Sequence, residues 1–149
     1  MDSARTREGG GRVMDLLTKK PQQSAVISVI DPDSYGKIYE YGKGNPVDGM
    51  TYTLANTTSP EFRAAQREAE KQDEAEARNI DVFAGAITDW SGFEEGGEPL
   101  ACDMDTKRRI LKTYDWLYLQ VLDTITTRQA FFPNAPTGYV SLQPSALVT

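Results

Sequence analysis

The apolar positions of this chain change period partway along it. Residues 24–30, SAVISVI, form a short β-branched run and predict a strand. DPDSYG follows, with Pro32 and Gly36 as turn residues. KIYEY, residues 37–41, reads as a returning strand, and GKGNPVDG as a second turn. In MTYTLAN, residues 50–56, Met50, Tyr52 and Leu54 alternate with Thr51, Thr53 and Ala55. That is the period of a strand with one buried face. Together these segments predict a small antiparallel β-meander over about residues 24–56. Such a sheet needs a partner layer on its apolar face.

Helices are predicted to supply that layer, over about residues 60–90 and 104–128. Ser59 is a suitable N-cap, Pro60 suits the first helical position, and Glu61 suits the positive helix end. The segment 61–78 is heavily charged and its apolar side is thin: Phe62, Ala65 and Ala69. Glu74 and Arg78 are spaced as a helix-surface pair, and Arg67 and Lys71 as a repulsive one. Ile80, Phe83, Ala84, Ile87 and Trp90 then fall on one helical stripe. ITDWSGFEEGGEPLACD, residues 87–103, reads as a corner between two helices, with Trp90 closing the first stripe. Asp103 or Asp105 caps the next helix, where Ile110, Leu111, Tyr114, Leu117, Tyr118, Val121, Leu122 and Ile125 share a face. The expected helical core is Ile80, Phe83, Ile87, Trp90, Ile110, Tyr114, Leu117 and Val121. Trp116 points to another side of its helix than Tyr114 and Tyr118, which makes it a partner-contact candidate. The expected class is α+β, with one domain over 23–130, a flexible tail over 1–22 and an extended, uncharged arm over 131–149. Phe131 and Phe132, at the root of that arm, are further partner-contact candidates.

Composition narrows the chemistry. The chain has 149 residues, net charge −6 and no histidine. Histidine-based acid/base catalysis, Ser-His-Asp and Cys-His arrangements and histidine metal ligands are therefore excluded. A single cysteine, Cys102, rules out an intrachain disulfide framework and a cysteine-rich zinc site. The acidic balance argues against a sequence-independent grip on nucleic acid. No apolar run approaches the length of a membrane span, and no secretory signal pattern stands near the N-terminus. DPDSYG places Asp31, Asp33 and Gly36 as an EF-hand loop would, but Gly42 stands where the bidentate glutamate belongs. YGKGNP lacks phosphate-loop spacing. Carboxylates, lysine and tyrosine remain as possible acid/base groups, without a pattern that singles any out. No metal, cofactor or catalytic residue is expected.

One resemblance organises these observations. From about Ala55 to Phe131, TSPEFRAAQREAEKQ is a charged helix and VFAGAITDW an apolar helix ending in Asp-Trp. SGFEEGGEPLACD then carries Gly92, Gly97, Glu98 and Pro99, and ILKTYDWLYLQVLDTI ends the pattern with an aromatic-aliphatic helix. This succession resembles tailed-bacteriophage tail assembly chaperones and related small phage morphogenesis proteins. The resemblance implies a non-enzymatic factor of the host cytoplasm during assembly. Such proteins bind the tape-measure protein, keep it soluble and help tail-tube subunits polymerise; they often form homo-oligomers. Trp90 belongs to the shared pattern and is the fourth partner-contact candidate. The Gly-rich N-terminus and the uncharged C-terminal arm depart from the pattern. They leave open a structural virion protein of neck, tail or capsid whose arms bind neighbouring subunits.

Overall fold

Ser24–Ile30 forms β1, with Ala25, Ile27 and Val29 buried on one face, as the β-branched run requires. β1 pairs antiparallel with β2, Pro46–Ala55, in the register Ile27 to Tyr52 and Val26 to Thr53. The computed structural model describes residues 13–127 and 129–132; the expectations for the rest of the two tails lie outside the described residues. After β2 come the helices α1, Pro60–Ala69, and α2, Ala75–Ala86. The chain then returns to the sheet as β3, Ile87–Ser91, which lies antiparallel against β2. A small hairpin of β4, Glu94–Glu95, and β5, Glu98–Pro99, leads to α3, Met104–Thr113, and α4, Asp115–Thr127. The fold is α+β: helices cover one face of a three-stranded antiparallel sheet with the order β1-β2-β3.

The sheet departs from a meander over 24–56. KIYEY is not a strand, because Ile30 pairs directly with Pro46 and leaves 31–45 as a loop. That loop is tied down from both sides. Asp31 accepts from Asp33 N–H at 2.9 Å, and Tyr41 N–H donates to Asp123 Oδ2 at 2.7 Å. The third strand comes instead from beyond α2. Its helical stripe stops at Ala86, and the β-branched pair Ile87 and Thr88 extends to fill the open edge of β2. Trp90 therefore sits on a strand, not at a helix end. Tertiary pairing overrides a helical spacing that the side chains alone satisfy.

The helices follow their caps. Ser59 Oγ accepts from Phe62 N–H at 3.1 Å with Pro60 in the first turn, and Asp103, not Asp105, accepts from Thr106 N–H at 2.8 Å. α1 and α2 form an antiparallel pair with a small-residue contact: a Cβ on Gly85 would stand 2.6 Å from the Ala65 Cβ. Arg78 does not pair with Glu74; its guanidinium donates to the carbonyls of Gln72 and Asp73, fastening the turn between α1 and α2. The expected single helix over 104–128 breaks at Tyr114, whose backbone takes φ −110 and ψ 82. Tyr114 N–H closes α3 on Ile110 O, and its own carbonyl accepts from Leu117 N–H at 2.9 Å as α4 starts. All of the expected core residues except Trp90 and Tyr114 are buried, and those two pack against the core half-buried. The outer face of the sheet is polar, with Ser28, Thr51, Thr53, Asp89 and Ser91.

Candidate functional site

The glycine-rich corner folds as one unit between β3 and α3. Gly92 permits the exit from β3. Its φ is +79, and a Cβ there would collide with the Gly49 carbonyl on β2, so a side chain is excluded on two grounds. Phe93 then turns inward, 4% exposed, and its ring stacks on the Trp90 indole at 4.3 Å and 8°. Trp90 Nε1 donates to Leu100 O at 2.9 Å, and Leu100 N–H donates to Phe93 O at 2.9 Å. Gly96 and Gly97, with φ of +59 and +84, form the hairpin tip between Glu95 and Glu98. Such a tip is open to glycine and hostile to most other residues.

The hairpin is fastened to α3 through Glu95. Arg109 Nη2 lies 3.0 Å from Glu95 Oε1, and Tyr114 Oη donates to Oε2 at 2.6 Å. These two donors hold the Glu95 carboxyl below the usual carboxylate range, Arg109 being the larger influence. The same contact pushes the Tyr114 phenol up. Tyr114 in turn meets Trp116 edge-on at 6.3 Å. Trp90 and Trp116 thus belong to one aromatic and ionic chain running from β3 through the hairpin to the start of α4. The arginines of α3 are not idle in solvent: Arg108 Nε lies 2.9 Å from Asp81 Oδ1 on α2. Asp81 also accepts from Gln72 Nε2 at 2.9 Å.

Between α2 and α3 runs a groove of about 410 Å³. Ala77 and Ile80 supply its apolar lining, Glu74 and Glu76 its acids, and Arg108, Arg109 and Lys112 its cations.

The remaining candidates lie elsewhere. Phe131 is fully buried in the core of its own chain and sits beside the start of β1, where its carbonyl accepts from Gln22 N–H at 2.6 Å. It is a core residue, not a free contact. Phe132 is 36% exposed. Because β1 and β3 are the two edges of the sheet, Phe131 and Phe132 are not gathered with Trp90.

The acids of the corner do not converge on a cation, and among the described residues no group of three metal-binding side chains is present. Cys102 is half-buried, and desolvation pushes its thiol up, away from reactivity. Lys107 is 7% exposed, and its Nζ donates to Ile87 O at 2.7 Å. Desolvation pulls its ammonium down, and one of its N–H groups is held by the backbone where α2 becomes β3. Among the described residues no helix is long and apolar enough to cross a membrane. Sequence reasoning missed Phe93, Glu95 and Arg109 as one device; the signal was present only as a charge on each side of the corner. No protein-family model, curated protein or solved structure matches the chain.

Proposed function

We propose that the chain is a tail assembly chaperone of a tailed bacteriophage, a non-enzymatic morphogenesis factor acting in the host cytoplasm. In this reading it binds helical segments of the tape-measure protein and assists assembly of the tail-tube protein around them. The observation that carries the proposal is the corner itself. The residues of the resembled pattern, Trp90, Gly92, Gly97, Glu98 and Pro99, build the exit from β3 and the hairpin that Glu95 fastens to α3, while Arg108 on α3 pairs with Asp81 on α2. The groove between those helices then offers an apolar floor with mixed charge at its margins, fitting an amphipathic helix.

Co-expression with the tape-measure protein of the same phage tests this. Wild type should raise the soluble fraction of tape-measure protein, and Ala77→Arg, which fills the groove from a half-buried position, should abolish the gain. An unchanged soluble fraction with wild type would remove the tape-measure protein as partner. The structural virion reading is favoured by a different observation, the exposed apolar segment near the N-terminus. Many copies of the chain in purified virions, counted by mass spectrometry, would replace the chaperone reading with that one.

A further inference from the structure

Val13, Met14, Leu16 and Leu17 are 73%, 59%, 74% and 77% exposed. Isolated apolar side chains in water need no explanation, but a contiguous group of this kind does. The segment is locally ordered. Asp15 caps the turn Leu16–Lys19 by accepting from Leu17 N–H at 3.0 Å, and Lys20 N–H closes on Leu17 O at 3.5 Å. Gln22 N–H then ties the chain to Phe131 O, so the segment leaves the body beside the end of α4. Its apolar side chains are presented to water by a capped turn with a fixed root.

A complementary surface exists on the same chain. Ile38 is 80% exposed and Leu119 is 45% exposed; with half-buried Leu122 they line a groove of about 380 Å³ between the 37–39 loop and α4. Lys37 and Asp123 are the charged members of that lining. The exposed segment carries the opposite charges around its leucines: Asp15 before them, Lys19 and Lys20 after them. Asp123 already accepts from Tyr41 N–H through Oδ2. A carboxylate has further acceptor sites for an incoming ammonium group.

We propose that residues 13–17 of one copy dock in the Ile38, Leu119 and Leu122 groove of a second copy, and that the exchange is reciprocal. The exchange across a twofold axis closes the assembly at two copies. The proposal does not rest on the tape-measure reading, which uses the groove between α2 and α3.

Size-exclusion chromatography with light scattering over a wide concentration range tests it. Wild type should move from 16.5 kDa toward twice that mass as concentration rises. Leu16→Asp combined with Leu17→Asp should weaken the dimer at least about tenfold, and Leu119→Arg should do the same from the other side. Both sites are exposed, so far-UV circular dichroism should remain that of wild type. In a Cys102→Ser background, Leu17→Cys chains mixed with Leu119→Cys chains should form a disulfide between copies. A wild type that stays monomeric throughout would overturn the proposal and leave the segment to a partner of different sequence. A dimer indifferent to both sets of substitutions would also overturn it. So would a single chain carrying both cysteines that closes its own disulfide in preference to linking copies.

Discussion

Gln120 offers the sharpest test of how this fold is held. It is 1% exposed, and its amide acts as a substitute strand at the end of β1. Its Oε1 accepts from Ile30 N–H at 3.0 Å, and its Nε2 donates to Ile30 O at 2.7 Å. The need is local: the β2 residue opposite Ile30 is Pro46, which has no N–H to give. Gln120→Leu keeps the volume and strands both Ile30 groups in a dry site. Each buried unpaired group costs about 1–3 kcal/mol, and the gain from a buried leucine offsets part, leaving a net loss of about 2–4 kcal/mol. That is a large share of a total stability of about 5–15 kcal/mol. Gln120→Glu separates hydrogen bonding from shape. Its carboxylate accepts from Ile30 N–H, but only the protonated acid donates to Ile30 O. Burial and that donated bond raise the folded-state pKa above the unfolded value of about 4.3. The contribution is then fully present below the unfolded value and lost as pH rises through the folded one. Urea unfolding followed by circular dichroism, each variant against wild type at pH 4 and pH 7, reads both effects. The glutamate variant should approach wild type at pH 4 and fall well below it at pH 7. A leucine variant within about 0.5 kcal/mol of wild type, the range of an inconsequential surface change, would refute the reasoning.

Other outcomes follow from the same geometry. Gly92→Ala should cost about 1–2 kcal/mol for its left-handed backbone alone, with the Gly49 collision in addition; hydrogen exchange should show β3 amides losing protection first. Trp90→Phe keeps the stack on Phe93 but leaves Leu100 O without the indole donor, so chemical denaturation should show a loss of about 0.5–1.5 kcal/mol. The Glu95 clasp contributes above the unfolded carboxylate value and is lost as pH falls through the depressed folded one. Acid titration by NMR should show the hairpin loosening there, and Glu95→Gln should remove that transition. Burial pushes the Tyr52 phenol far above its usual value. The unfolded chain ionises first, so stability should fall as pH rises above about 10, and ultraviolet absorbance should show Tyr52 titrating only with unfolding.

The helix starts were legible because capping is local: Ser59 with Pro60, and Asp103, act on backbone groups within three residues. The first and second strands were legible as pattern, but not the limits of the second, since Pro46 to Gly49 reads as turn chemistry. The third strand reads as the end of a helix because Ile87 and Trp90 stand three apart, a helical spacing; on the strand both face the core only through the register shift opposite Thr53 and Leu54. What decides is the vacant edge of β2, a fact about another part of the chain. The break at Tyr114 has no proline or glycine to mark it. Its phenol bonds to Glu95, nineteen positions away in the sequence, and no period along a helix reports that. In the candidate site Trp90 stood out in the sequence as an aromatic at the lip of an acidic, glycine-rich corner. Arg109 carried no signal of its own in the sequence, because its partner Glu95 stands fourteen positions away on the hairpin.

The order of strands also has a meaning in time. During synthesis β1 and β2 leave the ribosome as a hairpin with one edge of β2 unpaired, Tyr52 and Leu54 beside it. That edge finds β3 only after both α1 and α2 have been made, because Thr51 pairs with Ser91. An open apolar edge invites pairing with another nascent chain. The tight contact of Gly85 against Ala65 lets α1 and α2 close on each other and brings Ile87 directly to the gap. A slower closure of that pair, as a bulkier residue at position 85 would cause, lengthens the interval in which the new chain is vulnerable to aggregation.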